Sequence, residues 1–179
     1  MADGPPSQVH PFVRLAIDAI AAYVSDFRVI TPPASLFELF PALRRQAGVF
    51  VSLKKQGELR GCIGTIEPVR DTLAVEIVEN AISAASKDPR FRPVEEEELA
   101  ELRVSVDILS APERVAGPGD LDVWRYGVIV RSGGKRGLLL PDIEGIASVE
   151  EQISVARKKG GIGELEPVEL YRFVVERYF

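Results

Sequence analysis

The stretch Gly48–Ile66, GVFVSLKKQGELRGCIGTI, most narrows what this chain can fold into. Val49–Leu53 is rich in β-branched and aromatic residues, and Leu59–Ile66 is a second strand-like run. Only a short turn, KKQG, lies between them, with Gly57 free to take positive φ. So short a link returns the chain antiparallel beside itself, because a parallel crossover needs about a dozen residues or more. The device recurs in YGVIVRSGGKRGLLLPD, which turns at Ser132–Lys135. Leu102–Leu109 alternates strictly, with Leu102, Val104, Val106 and Ile108 on one side, and reads as a half-buried strand. After Pro167, Val168–Phe179 reads as one closing strand with Tyr171, Phe173 and Val175 on one face.

Helical periods separate these strands. From Pro11 onward, Phe12, Val13, Ala16, Ile17, Ile20 and Val24 share one broad face. A short helix is expected around Leu36–Phe40, after the prolines of ITPPASLF. Asp71 or Thr72 can cap a helix running to about Ser86. That helix is apolar nearly all round, so it is expected to lie between layers. EEEELAEL reads as a short surface helix, and APERVAGPGDLDVW as loop. Ser148 and Glu151 form a capping box opening a helix to about Lys159, which Gly160–Gly161 end. Hairpins separated by helices, without regular βαβ alternation, predict the α+β class with mainly antiparallel sheet.

A chain of 179 residues makes one ordinary domain or two tightly joined subdomains. The formal net charge of −5 argues against a dominant nucleic-acid surface, because phosphate neutralisation needs clustered Lys and Arg. No apolar run approaches the roughly 18 residues of a membrane span. The opening residues MADGPPSQVHP lack the basic start and apolar core of a signal peptide, so a cytoplasmic protein is expected. Residues 1–9 read as a flexible tail ahead of a domain over residues 10–179. One cysteine excludes an intrachain disulfide, and no His/Cys pair has metal-ligand spacing. Neither a metal nor a cofactor is expected.

The single cysteine lies in LRGCIG, residues 59–64. On a strand, Cys62 points away from Gly61 and Ile63, and Arg60 and Gly64 share its face. Two readings stand side by side. Cys62 is either a thiolate activated by nearby positive charge, or a small packed side chain of the kind that free cysteine usually is. Glycines on both sides let a ligand or another backbone approach closely. The only histidine, His10, lies at the edge of the N-terminal stretch, so a Cys–His dyad is not expected.

DPRFRP offers Asp88 and two guanidinium groups, Arg90 and Arg92, around an aromatic ring. Planar donors of this kind bind anions or carboxylates, and the same residues equally make a hydrogen-bonded turn. SGGKRG lacks the Ser/Thr after Lys and joins two strands, so it fails the context of a phosphate-binding loop. It reads as a flexible basic hairpin tip. GGIG at Gly160–Gly163 has the spacing of an RNA-clamping loop, but a helix C-cap explains it.

Taken together, GVFVSLKKQGELRGCIGT, AISAASKDPRF, the strand ending LSAPE, and GLLLPDIEG followed by VEEQISVARKKGGI resemble the AMMECR domain family. Its bacterial and archaeal members are called AmmeMemoRadiSam system protein A, and LRGCIG is the family signature. The resemblance runs from about Phe12 to Tyr178. It implies an α+β fold with a larger subdomain from both chain ends and a smaller inserted one. It further implies a cleft site with Arg60, Gly61, Cys62 and Gly64, and with Asp88 and Arg90 as neighbours. By system name it implies Memo-like and radical-SAM proteins as partners. It transfers no reaction. Two positions depart from common family patterns: Ser154–Lys159 carries no second cysteine, and Tyr126 stands where many members have histidine.

Three functions follow as expectations. The first is a binding module whose cleft holds a partner segment or small ligand. The second is a thiol-dependent enzyme, with Cys62 as nucleophile, Arg60 or Arg90 clamping an anion and Asp88 orienting. The third, which the net acidity disfavours, is RNA association through Arg90, Arg92, Lys135 and Arg136.

Overall fold

The computed structural model describes residues 9–179. The expected N-terminal tail therefore lies outside the described residues, except for Val9. In chain order the elements are α1 (Pro11–Asp26), α2 (Ala34–Leu39), β1 (Val49–Lys55), β2 (Glu58–Thr65), α3 (Leu73–Ser86), β3 (Leu102–Leu109), β4 (Glu113–Val115), β5 (Gly127–Ser132), β6 (Lys135–Leu139), α4 (Val149–Lys159), β7 (Glu169–Phe173) and β8 (Val175–Tyr178). They form two compact units. One contains the described chain from residue 9 to Ile108 together with Glu176–Phe179, and the other is the insert Leu109–Val175. The class is α+β, with the β1–β2, β1–β3, β4–β7, β5–β6 and β5–β7 pairs all antiparallel.

In the first unit the sheet order is β2-β1-β3-β8. The alternation in β1 and β3 decides which face is buried. Val49, Val51, Leu53, Val106 and Ile108 are almost wholly excluded from solvent on one face. Burying a Leu or Ile side chain stabilises by about 1.5–3 kcal/mol, so this face fixes the register. α3 packs on that face and α1 packs on α3, as the nearly all-round apolar character of α3 requires. Thr72 caps α3 by accepting the Val75 N–H at 3.3 Å. Gln56 and Gly57, both at positive φ, make the tight turn between β1 and β2.

The insert has a sheet of order β4-β7-β5-β6, with α4 packed on β5 and β6. Its core holds Val128, Val130, Leu139, Ala156, Ile162 and Leu170. The expected capping box forms, Ser148 accepting from Glu151 N–H and the Glu151 carboxylate from Ser148 N–H. No described helix is long and apolar enough to cross a membrane.

Two expectations need correction, and a third is sharpened. EEEELAEL forms the expected short surface helix, as a 3-10 turn over Glu96–Glu101. Its Glu98 is drawn out of solvent by Arg60 and Lys55, and so the run is not simply a solvated face. Glu113–Val115, read as loop, is an edge strand held by β7. The closing run is two strands. Ser110 breaks it at Val174, donating its N–H to the Val174 carbonyl at 3.0 Å and accepting the Val174 N–H on Oγ at 3.0 Å. β7 then pairs with β5 and β4, while β8 lies beside β3.

Candidate functional site

The signature strand β2 is an edge of its sheet, so alternate backbone groups face away from β1. At Cys62 these groups are met by side chains. The Asp88 carboxylate accepts the Cys62 N–H at 2.8 Å, and the Arg90 guanidinium donates to the Cys62 carbonyl at 3.3 Å. Asp88 and Arg90 also hold each other. Arg90 Nε reaches Asp88 Oδ1 at 2.9 Å and Nη2 reaches Oδ2 at 2.7 Å. The turn that starts at Asp88 sets this up, with Phe91 N–H donating to the Asp88 carbonyl and Arg90 N–H to Oδ1. Asp88 is 4% exposed. Its bond to Arg90 holds its carboxyl far below the usual carboxylate range, against the opposing effect of burial.

Cys62 is half-buried and its sulfur accepts the Ser52 hydroxyl at 3.2 Å. Ser52 is paired with Cys62 on one side and with Ser105 on the other. Cys62, Ser52 and Ser105 thus form a row across three strands, on the face opposite Val51, Leu53 and Val106. The next row on this face is Gly64, Phe50 and Asp107, and Asp107 is ion-paired with Arg177 of β8 at 2.7 Å.

The two glycines serve the protein's own packing. A Cβ on Gly61 would stand 2.3 Å from the Ala84 carbonyl oxygen, so Gly61 lets α3 lie close on the sheet. A Cβ on Gly64 would stand 2.3 Å from the Phe50 ring. The space beside each glycine is filled by Ala84 and Phe50, not open to a ligand.

Arg60 is placed apart from the Cys62 cluster. Lys54 pairs with Leu59 and Leu53 with Gly61, leaving Arg60 as the extra residue of a β-bulge. Its guanidinium forms a fork with Glu98, at 2.9 Å and 2.7 Å, and donates to the Arg92 and Pro93 carbonyls. Arg60 therefore clamps the connector between α3 and β3. The fork holds Glu98 down to about 2, with Lys55 and the Glu95 N–H adding to the effect. Beyond the strand, buried Glu76 accepts the Thr65 hydroxyl and the Val69 and Arg70 N–H groups. It anchors the loop that follows the signature.

Of the expected site residues, then, Cys62, Asp88 and Arg90 come together, Gly61 and Gly64 flank them in packed positions, and Arg60 joins Glu98. Ser52 and Glu98 were not foreseen. His10 caps α1 through Nδ1 and its ring packs on Phe12 and Tyr178, with centroids at 4.6 and 4.2 Å. Lys135, at the tip of the second hairpin, is tied to Glu166 at 2.6 Å. Among the described residues no group of three or more His, Cys, Asp or Glu side chains is placed to hold a metal.

An α+β protein of two antiparallel sheets, whose edge strand LRGCIGT is covered by an aspartate–arginine pair, is the class defined here. The chain belongs to the AMMECR1 family, whose model matches residues 13–178. It is 54% identical over 172 residues to a Thermotoga maritima protein, covering 94% of this chain and 97% of the relative. It is 46% identical over 169 residues to a Clostridium acetobutylicum protein, covering 94% of this chain but 36% of that relative. The crystal structure of an uncharacterized protein from Pyrococcus horikoshii superposes with a TM-score of 0.83 at 34% identity, covering 93% of this chain and 88% of that one.

Proposed function

We propose that this chain is a cytoplasmic binding module, a domain over residues 10–179, whose Cys62–Ser52–Ser105 face receives a segment of a protein partner. The observation that carries the reading is the charge pairing around Cys62. Asp88, the carboxylate that contacts the Cys62 backbone, is ionised far below neutral pH and is saturated by Arg90 and two backbone N–H groups. A carboxylate so weakly basic does not take a proton from a thiol or a substrate. Arg60 is likewise occupied by Glu98 and two carbonyls, and is not left over as an anion clamp. What the strand offers is a fixed, mostly neutral row of small polar side chains, which suits recognition better than acid–base chemistry.

The share of relatives supports a partner. In Clostridium acetobutylicum the matched segment is about a third of a longer chain, so there the domain works joined to further polypeptide. The family resemblance supplies Memo-like and radical-SAM proteins as the partners to try first. The net charge of −5 disfavours nucleic acid.

The test is titration calorimetry of the chain with a Memo-like protein, and separately with a radical-SAM protein, from the same genome. The expected result is saturable association with one of them. Ser52→Gln, which puts bulk into the row, weakens it at least tenfold, and Lys135→Gln in the insert leaves it within twofold. No association with either protein, or equal affinity for both variants, overturns the proposal.

A further inference from the structure

The insert contains a cavity of about 420 Å³ between β4, the loop after it, β7 and α4. That volume lies within the roughly 300–1,000 Å³ usual for small-molecule sites. Its apolar wall is Val115, Ile153, Val168 and Leu170. Two guanidinium groups, Arg114 and Arg157, and one carboxylate, Glu169, complete the charged lining.

Neither arginine is fully used by the protein. Arg157 makes all its hydrogen bonds through Nη2, to the carbonyls of Gly163, Glu164 and Glu166. Its Nε is buried with no acceptor among the described residues. A buried donor on a permanent cation without a partner is costly, and native folds usually satisfy it with protein, water or ligand. Arg114 contacts Glu169 through Nη2 at 2.6 Å, on an exposed rim where such a pair contributes little and exchanges readily. The lining thus carries two positive charges and one negative. The surplus of one matches a singly charged anion, and the planar forks match a carboxylate. A dianion would be left under-neutralised.

We propose that the insert binds a small monocarboxylate with an apolar body, its carboxylate held by Arg114 and Arg157 and its body against Val115, Ile153, Val168 and Leu170. The two rim residues of opposite charge make the site testable without touching the core, because both side chains are about half exposed or more. Arg114→Gln removes an attraction and Glu169→Gln removes a repulsion and a competitor.

The experiment is a backbone amide NMR titration of the full chain with 4-methylvalerate. Its uncharged amide and inorganic phosphate are the comparison probes. The expected result is saturable shifts at Val115–Gly117, Ile153 and Val168–Leu170. The amide and phosphate bind at least tenfold more weakly, Arg114→Gln binds at least tenfold more weakly, and Glu169→Gln binds a few-fold more tightly. Equal binding of acid and amide, indifference to Arg114→Gln, or no shift at these residues overturns the site.

Discussion

The Asp88 carboxylate accepts the backbone N–H of Cys62 at 2.8 Å, and Arg90, gripped by the same carboxylate, donates to the Cys62 carbonyl. On an edge strand these backbone groups have no neighbouring strand to pair with. Two side chains from the connector after α3 supply one rung of the missing ladder. The connector and the signature strand are therefore a single structural unit, although 26 positions separate Cys62 from Asp88.

That rung makes Asp88 a stability residue. Asp88→Ala strands a partly buried N–H, at a cost of about 1–3 kcal/mol. The lost Arg90 contact adds little, because that side chain is more than half exposed. We expect urea unfolding to show a loss of about 2 kcal/mol for Asp88→Ala. Asp88→Asn, which keeps an acceptor, is expected to lose about half as much. A loss below about 0.5 kcal/mol for the alanine variant would show that the rung contributes nothing.

Acid sensitivity follows from the same pairs. Asp88 and Glu98 both have carboxyls held below their unfolded values, which lie near 4. The unfolded state binds their protons first, so the stabilisation is complete above about pH 5 and is lost as pH falls toward the folded values. For Glu98 that folded value is about 2. The urea midpoint of the parent chain is expected to be flat from pH 7 to about 5 and to fall steeply from there to about pH 2. Glu98→Gln starts lower at pH 7 and falls less. Parallel curves for parent and variant would rule out Glu98 as a source of the acid limb.

The sequence carried much of this fold, and its failures are specific. Alternation in β3 and the apolar period of α3 are local signals, and each produced its element. Register was not local. Two turn residues at Gln56 and Gly57, continued without interruption, place Ser52 opposite Gly61. The bulge at Arg60 moves Cys62 into that place, so the Ser52–Cys62 contact was hidden by one residue. Glu98 was hidden differently. A run of four glutamates reads as solvent-facing, and only the arrival of Arg60 from a distant strand withdraws one of them. The split of the closing strand depends on Ser110, 64 positions away from Val174, and no period in the last dozen residues encodes it.

The glycines of the signature give a test that separates packing from ligand access. Gly61→Ala sets a Cβ against the Ala84 carbonyl, a backbone atom that moves only if α3 moves. Overpacking of this kind costs about 1–3 kcal/mol, and we expect the upper half of that range. Gly117→Ala, at an extended position with open space around it, is expected to change stability by less than about 0.5 kcal/mol. If Gly61→Ala unfolds at the parent's midpoint, the close approach of α3 does not require glycine.

Cys62 itself is best tested by separating its bulk from its chemistry. Cys62 is a half-buried residue with its sulfur beside Ser52, and alkylation in the folded protein is expected to place the adduct on the Cys62–Ser52–Ser105 face. If that face receives a partner, N-ethylmaleimide treatment is expected to lower association with the Memo-like or radical-SAM protein at least tenfold. Cys62→Ala, which removes the sulfur without adding bulk, is expected to stay within threefold of the parent. A partner that contacts the sulfur directly gives the opposite pattern for the alanine variant, with loss of association as complete as alkylation. Mass spectrometry confirms single labelling, and an unchanged urea midpoint of the adduct shows that the loss is not unfolding. A tenfold loss of association in Cys62→Ala would therefore show that the partner is held through the sulfur itself and that Cys62 is more than a packing residue of the face.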